Sequence, residues 1–144
     1  TQRGQAVHEF WLSRYDNRFC EAGTGTAPVT FPAAVPHQRG TTAHITLRKQ
    51  SPPREWSLQA WSRIRKDGTP KGTAVPVSAV LVPVSPRTGS TPQAWKLVLE
   101  PPASDTRHVY LAAEVWWADE EGCSLSAVDT GSQSAQWTYH LRLK

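Results

Sequence analysis

The chain has 144 residues, a length typical of one domain, and a formal net charge of +4. Its basic residues are spread along the sequence rather than clustered, so we do not expect a nucleic-acid partner. No apolar run approaches the roughly 20 residues of a membrane helix, which excludes a membrane span in this chain. Hydrophobic residues make up 38% and include seven Trp, so the core is predicted to depend on a few large rings.

The cysteines indicate the compartment. Cys20 and Cys123 are the only two, and their spacing matches neither a zinc site nor a redox motif. Two buried thiols or one reactive thiol are alternatives, but an even count without a surplus thiol is typical of secreted chains. We therefore predict a disulfide that ties the N-terminal arm to the last hairpin. The chain begins at Thr1 and has no Met, which predicts a processed segment whose signal peptide or anchor lies outside it.

The expected setting is therefore extracytoplasmic, meaning secreted, periplasmic or at the cell surface. The excess of Arg over Lys, 11 against 5, indicates a GC-rich bacterial genome. Residues 1–40 are weakly periodic and are predicted to form an arm. Within it, residues 7–12 predict a strand or a short helix, residues 21–27 a loop, and residues 29–35 a possible first strand with Phe31 buried.

From residue 42 onward apolar and polar residues alternate with a period of two, as in half-buried strands. Pro76 and Pro83 interrupt the β-branched run 75–84 and place it at a sheet edge or split it, because proline cannot donate to a ladder. Residues 67–70 predict a turn, and residues 86–92 and 131–136 predict loops. Strands are predicted over residues 42–49, 55–66, 75–84, 93–100, 107–117 and 137–144.

This pattern predicts an all-β fold, an antiparallel β-sandwich of about seven strands with an N-terminal arm, and a barrel as the alternative. Residues 1–144 are predicted to form a single domain, with residues 41–144 as its core. The strand spacing resembles an immunoglobulin-like or fibronectin-III-like sandwich. Trp56 takes the place of the core Trp of those folds, and Tyr110 lies near the place of their tyrosine corner. Tyr110 departs from the family by facing away from Val109 and Leu111.

Aromatic side chains on predicted outward faces are the best candidates for binding. We predict a binding face formed by Trp61, Arg63, Tyr110, Glu114 and Trp116. Trp and Tyr rings stack on sugars and anchor protein interfaces. The alternative is that residues 1–40 cover this face, since Phe10, Trp11 and Phe19 also need partners.

Other candidate chemistry is weaker. His44, His108 and His140 would suit zinc or copper only if their strands were neighbours. The acidic run 119–121 lacks the spacing of calcium loops and is expected to be a solvated turn. Glu114 with Glu55 or Asp105 would make an acid/base pair only at a suitable separation.

We therefore expect no cofactor, no metal and no enzyme, since no nucleophile elbow or phosphate loop is present. The predicted function is an interaction module that binds a protein partner or a surface assembly. The alternatives are a carbohydrate-binding module, which would take a glycan at the cell surface, and a small β-barrel enzyme or ligand carrier. The last would need a closed pocket of roughly 300 Å³ or more.

Overall fold

The structure is a computed structural model that describes residues 5–10, 29–48, 51–84, 92, 94–118, 124–126, 129–130 and 132–144. Within these ranges the chain forms thirteen β-strands. They are β1 (Gln5–Phe10), β2 (Val35–His37), β3 (Ala43–Leu47), β4 (Glu55–Trp61), β5 (Arg63–Ile64), β6 (Pro70–Lys71), β7 (Val75–Val77), β8 (Ala79–Val84), β9 (Ala94–Leu99), β10 (His108–Ala118), β11 (Ser124–Ser126), β12 (Asp129–Thr130) and β13 (Ser132–Leu143).

The predicted all-β sandwich is confirmed. The larger sheet has the order β1-β13-β10-β4-β7 and is antiparallel along this path. The short strand β2 joins the same sheet by pairing parallel to the end of β13. The smaller sheet has the order β3-β9-β8 and is antiparallel. No helix in the described ranges is long and apolar enough to cross a membrane.

The core lies between the inner faces of the two sheets. The predicted alternation explains it, because every second residue of each strand points inward. From the smaller sheet, Ile45 and Leu97 are almost fully buried, and from the larger sheet so are Leu58, Val109 and Val115. Trp56 is half-buried and packs against this cluster, as its predicted core position requires.

The chain changes sheets at Ser78. Residues Val75–Val77 pair with β4 at one edge of the larger sheet, and residues Ala79–Val84 pair with β9 at one edge of the smaller sheet. Both expectations for the two prolines are therefore confirmed, since the run is split and each half is an edge strand.

The turn predicted at residues 67–70 is also present. Gly68 has φ +87°, which favours glycine, and the backbone N–H of Arg65 donates to the carbonyl of Thr69 at 2.8 Å.

Two expectations about local structure are wrong. Residues 29–34 form no strand, and pairing begins only at Val35. The predicted polar loop at 131–136 is instead part of β13 from Ser132 onward, because β10 supplies backbone partners along that whole length. The ambiguous run at 7–12 belongs to a strand as far as Phe10. Cys20, Cys123, the loop at 21–27 and the acidic run 119–121 lie outside the described residues.

Candidate functional site

The outer face of the larger sheet brings most of the predicted binding residues together. Side chains of the central strand β10 alternate between the two faces of the sheet. Tyr110, between the buried Val109 and Leu111, therefore points to the outer face. In the sheet register, Tyr110 lies directly between Trp61 on β4 and His140 on β13. Three rings from three neighbouring strands therefore form one row across this face.

A segment of residues 29–34, here called the covering segment, lies over this row. The ring of Phe31 contacts Tyr110 and Trp61 edge-on, with centroid distances of 5.2 and 6.1 Å. The buried hydroxyl of Thr138 donates to the carbonyl of Thr30 at 2.7 Å. Tyr110 is consequently only 8% exposed, so the predicted coverage by the first 40 residues occurs at this end of the face.

Two histidines flank the tyrosine. The Nδ1 of His108 lies 2.9 Å from the Nε2 of His140, and the ring of Tyr110 stacks on His140 at a centroid distance of 4.2 Å. The Nδ1–H of His140 donates to the carbonyl of Pro32 at 3.1 Å, because a carbonyl only accepts. Neutral His140 therefore carries no hydrogen on Nε2, and this nitrogen accepts from the Nδ1–H of His108.

Burial sets the titration of this cluster. Loss of hydration lowers the pKa of His140, and the neighbouring His108 lowers it further, while the bond to Pro32 acts in the opposite direction. Desolvation also raises the pKa of the Tyr110 phenol. Burial therefore favours the neutral forms of His140 and Tyr110.

The remaining predicted residues lie around this row. Arg63 is on β5 and makes an ion pair with Asp105 at 2.8 Å, with both side chains more than half exposed. Such exposed pairs contribute little to stability, about 0–1 kcal/mol. Glu114 and Trp116 continue along β10, opposite the β4 residues 57 and 55, and both are half-buried. Trp61, Tyr110, Glu114 and Trp116 therefore share the outer face of the larger sheet, whereas Arg63 lies on the separate β5–β6 ribbon.

The strand pairing also shows which residues of the candidate metal site and of the candidate acid/base pair lie near one another. His108 and His140 are neighbours, whereas His44 lies on the smaller sheet, so the three do not meet. Among the described residues no group of three His, Cys, Asp or Glu side chains could hold a metal ion. Glu114 and Glu55 are diagonal neighbours in the register of β10 and β4, while Asp105 is paired with Arg63.

An apolar edge was not among the sequence-predicted binding residues. Val75 and Val80 are the exposed large hydrophobic residues in the described part of the chain, at 51% and 65%. They stand on either side of the sheet change at Ser78, on edge strands β7 and β8. Val82 and Val84 share the outer face of β8 with Val80 and are half-buried. The three valines of β8, Val80, Val82 and Val84, are called the valine edge below.

A signal for the valine edge was present in the sequence. No charged residue occurs between Lys71 and Arg87 in a chain that is 19% charged. The two prolines predicted an edge, and an uncharged β-branched run at an edge exposes its outward side chains. Alternation shows which valines point outward only once the partner strand is known.

A small cavity lies at the base of the sandwich, between β2 and the loop that follows β9. Its volume is about 200 Å³, and its walls include His37, Arg39, Glu100 and Ser104. Small-molecule sites usually measure about 300–1,000 Å³, so this cavity is below that range. It adds no support for a ligand carrier.

Comparison with protein-family models, with curated proteins and with solved structures finds no match for this chain. The two surfaces of this domain that bear on its function are the covered aromatic row and the valine edge.

Proposed function

We propose that this domain is a non-enzymatic interaction module that acts outside the cytoplasm and binds a protein partner, or a surface assembly, through the valine edge. The observation that carries the proposal is the 65% exposure of Val80 on an edge strand. A valine left this open contributes little to the fold, whereas burying it against a partner removes apolar area from water at about 25 cal/mol per Å².

The surroundings of Val80 suit a protein interface. Interface centres are poor in charged residues, and the run from Gly72 to Pro86 carries none. Val82 and Val84 extend the same face along β8. Sheet edges are also common docking sites, because their outer backbone groups and alternate side chains are available together.

The prolines limit how the partner binds. Pro76 and Pro83 are exposed on β7 and β8, and neither has an N–H to donate. Proline at an edge opposes uncontrolled strand addition between copies. We therefore expect side-chain packing on the valines to dominate, with few backbone bonds to the partner.

The carbohydrate alternative is less well supported. Stacking on a sugar needs an open ring face, and Phe31 lies against both Trp61 and Tyr110. A glycan would have to displace the covering segment before it reached these rings. The half-buried Trp116, at the far end of β10, is the remaining aromatic candidate on this face.

A finer fold assignment is part of the proposal. In immunoglobulin-like sandwiches, strands B, E and D form one sheet and strands C′, C, F and G are neighbours in the other. The orders β3-β9-β8 and β7-β4-β10-β13 correspond to these two sets. The parallel pairing of β2 with β13 adds a short strand beside the position of G. Because such sandwiches host many unrelated functions, this assignment names no partner.

The proposed function is tested with a charge placed on the valine edge. Val80→Asp should weaken capture of a partner from a cell-surface fraction at least tenfold, because the carboxylate would be buried in an apolar contact. Thr46→Asp is the matched control, since Thr46 is exposed on the outer face of the same sheet at its opposite edge. Binding is measured as a saturable isotherm for each variant.

Light scattering on the wild type distinguishes a second copy of the chain from a different partner. Loss of binding in Val80→Asp but not in Thr46→Asp supports the proposal. Equal binding by wild type and Val80→Asp contradicts it, as does the absence of any saturable partner.

The extracytoplasmic setting has its own test. Thiol titration of the unreduced protein in denaturant should find no free thiol, because Cys20 and Cys123 are expected to be joined. A matched sample treated with reductant should then give two thiols per chain. Two free thiols without reductant would remove the main support for this setting.

A further inference from the structure

We propose that the covering segment is a pH-sensitive latch over the aromatic row: when the His108–His140 pair takes up its second proton, residues 29–34 detach and Trp61 and Tyr110 become accessible. The covering segment and the aromatic row lie on the outer face of the larger sheet, on the side away from the core. The latch stands independently of the proposed role of the valine edge.

The geometry of the pair allows one added proton but not two. With both rings neutral, His108 donates to the Nε2 of His140 at 2.9 Å, and His140 donates to Pro32. A first proton leaves one nitrogen of the facing pair without hydrogen, so the contact survives. A second proton puts hydrogen on both facing nitrogens, and two like charges then share a gap of hydrogen-bond length.

The elements around the pair offer little to offset a second charge. The covering segment itself, Val-Thr-Phe-Pro-Ala-Ala, has no ionisable side chain. The two carboxylates nearby in the fold are already engaged, Asp105 with Arg63 and Asp67 with the Thr69 hydroxyl and amide. In the register of β1 with β13, Glu9 lies opposite Ala135, several residues from His140.

The elements packed around the pair carry charges of both signs, and the nearest in the strand register is a cation. Arg142 is the cross-strand neighbour of His108. A methyl group on Gly68 would lie 3.9 Å from the Thr30 side chain, so the β5–β6 turn is close to the segment. The charged and titratable residues on these elements are Arg142 on β13, Glu114 on β10, Glu55 on β4, Arg63, Arg65, Lys66, Asp67 and Lys71 on and around the β5–β6 turn, Asp105 and Arg107 before β10, and His8 and Glu9 on β1.

Release of the covering segment is the direct route by which a doubly charged pair regains water. The segment is held over the sheet by two carbonyl acceptors, those of Thr30 and Pro32, and by the Phe31 ring. The largest influence on His140 is burial, which lowers its pKa, so the closed form binds protons less well than the open form. By linkage, closure is favoured above the ordinary histidine range and is weakened as the pH falls below it.

The size of the effect follows from the same linkage. Each unit by which closure lowers the pKa makes opening about tenfold more favourable once the open form is fully protonated. We expect the opening equilibrium of residues 30–34 to rise at least tenfold between pH 7.5 and pH 5.

Hydrogen exchange followed by NMR tests the latch, with rates corrected for the intrinsic pH dependence. In the wild type, the Thr30 and Phe31 amides should lose protection at pH 5 while the Leu97 amide in the core keeps it. His44→Gln is the control, because His44 is exposed on the smaller sheet, and it should respond like the wild type.

The decisive variants remove one member of the pair each. In His140→Gln the buried imidazole is absent, so the pH response should stay below about threefold, whereas His108→Gln keeps a buried His140 without the second charge and should show an intermediate response. A Gln amide at position 140 can still donate to the carbonyl of Pro32. Protection of the Thr30 and Phe31 amides at pH 7.5 shows whether the covering segment closes in each variant. A full tenfold response in either closed variant overturns the proposal. Parallel loss of protection at Leu97 also overturns it, because that pattern means global unfolding.

Discussion

Replacing Leu97 with alanine should lower the free energy of unfolding by about 3–5 kcal/mol. Leu97 is fully buried at the centre of β9, the middle strand of the smaller sheet. Its register partners on the inner face are Ile45 on β3 and Leu81 on β8. Removal of its side chain leaves a cavity where the two sheets meet, and strands fixed by pairing on both sides cannot easily close it.

Urea unfolding of Leu97→Ala and the wild type measures this loss. Val80→Thr is the control, because it lies on the same sheet, keeps the β-branched shape and is 65% exposed. It should change stability by no more than about 0.5 kcal/mol. A loss below about 1 kcal/mol in Leu97→Ala would contradict the packing of the two inner faces against each other.

Between pH 9 and 11.5 the free energy of unfolding of the wild type should fall by about 2 kcal/mol relative to that of a Tyr139→Phe variant. Tyr139 packs against the core, and burial raises the pKa of its phenol to about 12. The unfolded chain releases this proton near pH 10, whereas the folded chain holds it. The contribution is therefore complete below pH 10 and is lost as the pH rises toward 12.

The test is the difference between wild type and Tyr139→Phe in urea unfolding at each pH. Lysine and arginine effects cancel in that difference because both proteins carry the same charges. The ultraviolet signal of tyrosinate gives a second measurement, since the Tyr139 phenol, with its pKa raised to about 12, should ionise in the folded wild type only near that pH. A constant difference from pH 9 to 11.5 would mean that the phenol is not buried.

Much of the fold follows from period-two alternation. It predicted which side of β4, β9 and β10 faces inward, and Trp56, Leu97 and Val109 lie there. It did not predict β13 from Ser132 to Gln136, since Ser-Gln-Ser-Ala-Gln carries no apolar period. Pairing with β10 supplies the backbone bonds of that stretch whatever its side chains are. A strand that forms because its neighbour pairs with it need not show alternating polarity in its own sequence.

The covering segment shows a second limit. Residues 29–35 have the apolar content of a strand, but Pro32 removes a donor at the middle of the run. The segment instead gives its carbonyls to side chains, those of Thr138 and His140. These partners lie 108 residues away in sequence, and no local pattern indicates them.

The candidate face was predicted in part. Alternation placed Trp61 and Tyr110 on the same outward side, and the strand register confirms that they are neighbours. It could not show that His108 and His140 meet, because strand order is a property of the whole fold. The uncharged, proline-containing run indicated an edge, but not which of its valines are exposed, since exposure at an edge depends on which strands lack a second neighbour.

The register of β10 with β13 has a practical consequence. The two strands stay in step as far as Ala118 and Ser132, which face each other as a pair. The chain therefore leaves and re-enters the sheet at adjacent points, so an insertion between them need not move either strand end. Closure entropy rises by only about 0.6 kcal/mol for each doubling of loop length. This end of the domain is a natural place to graft a foreign peptide or a reporter.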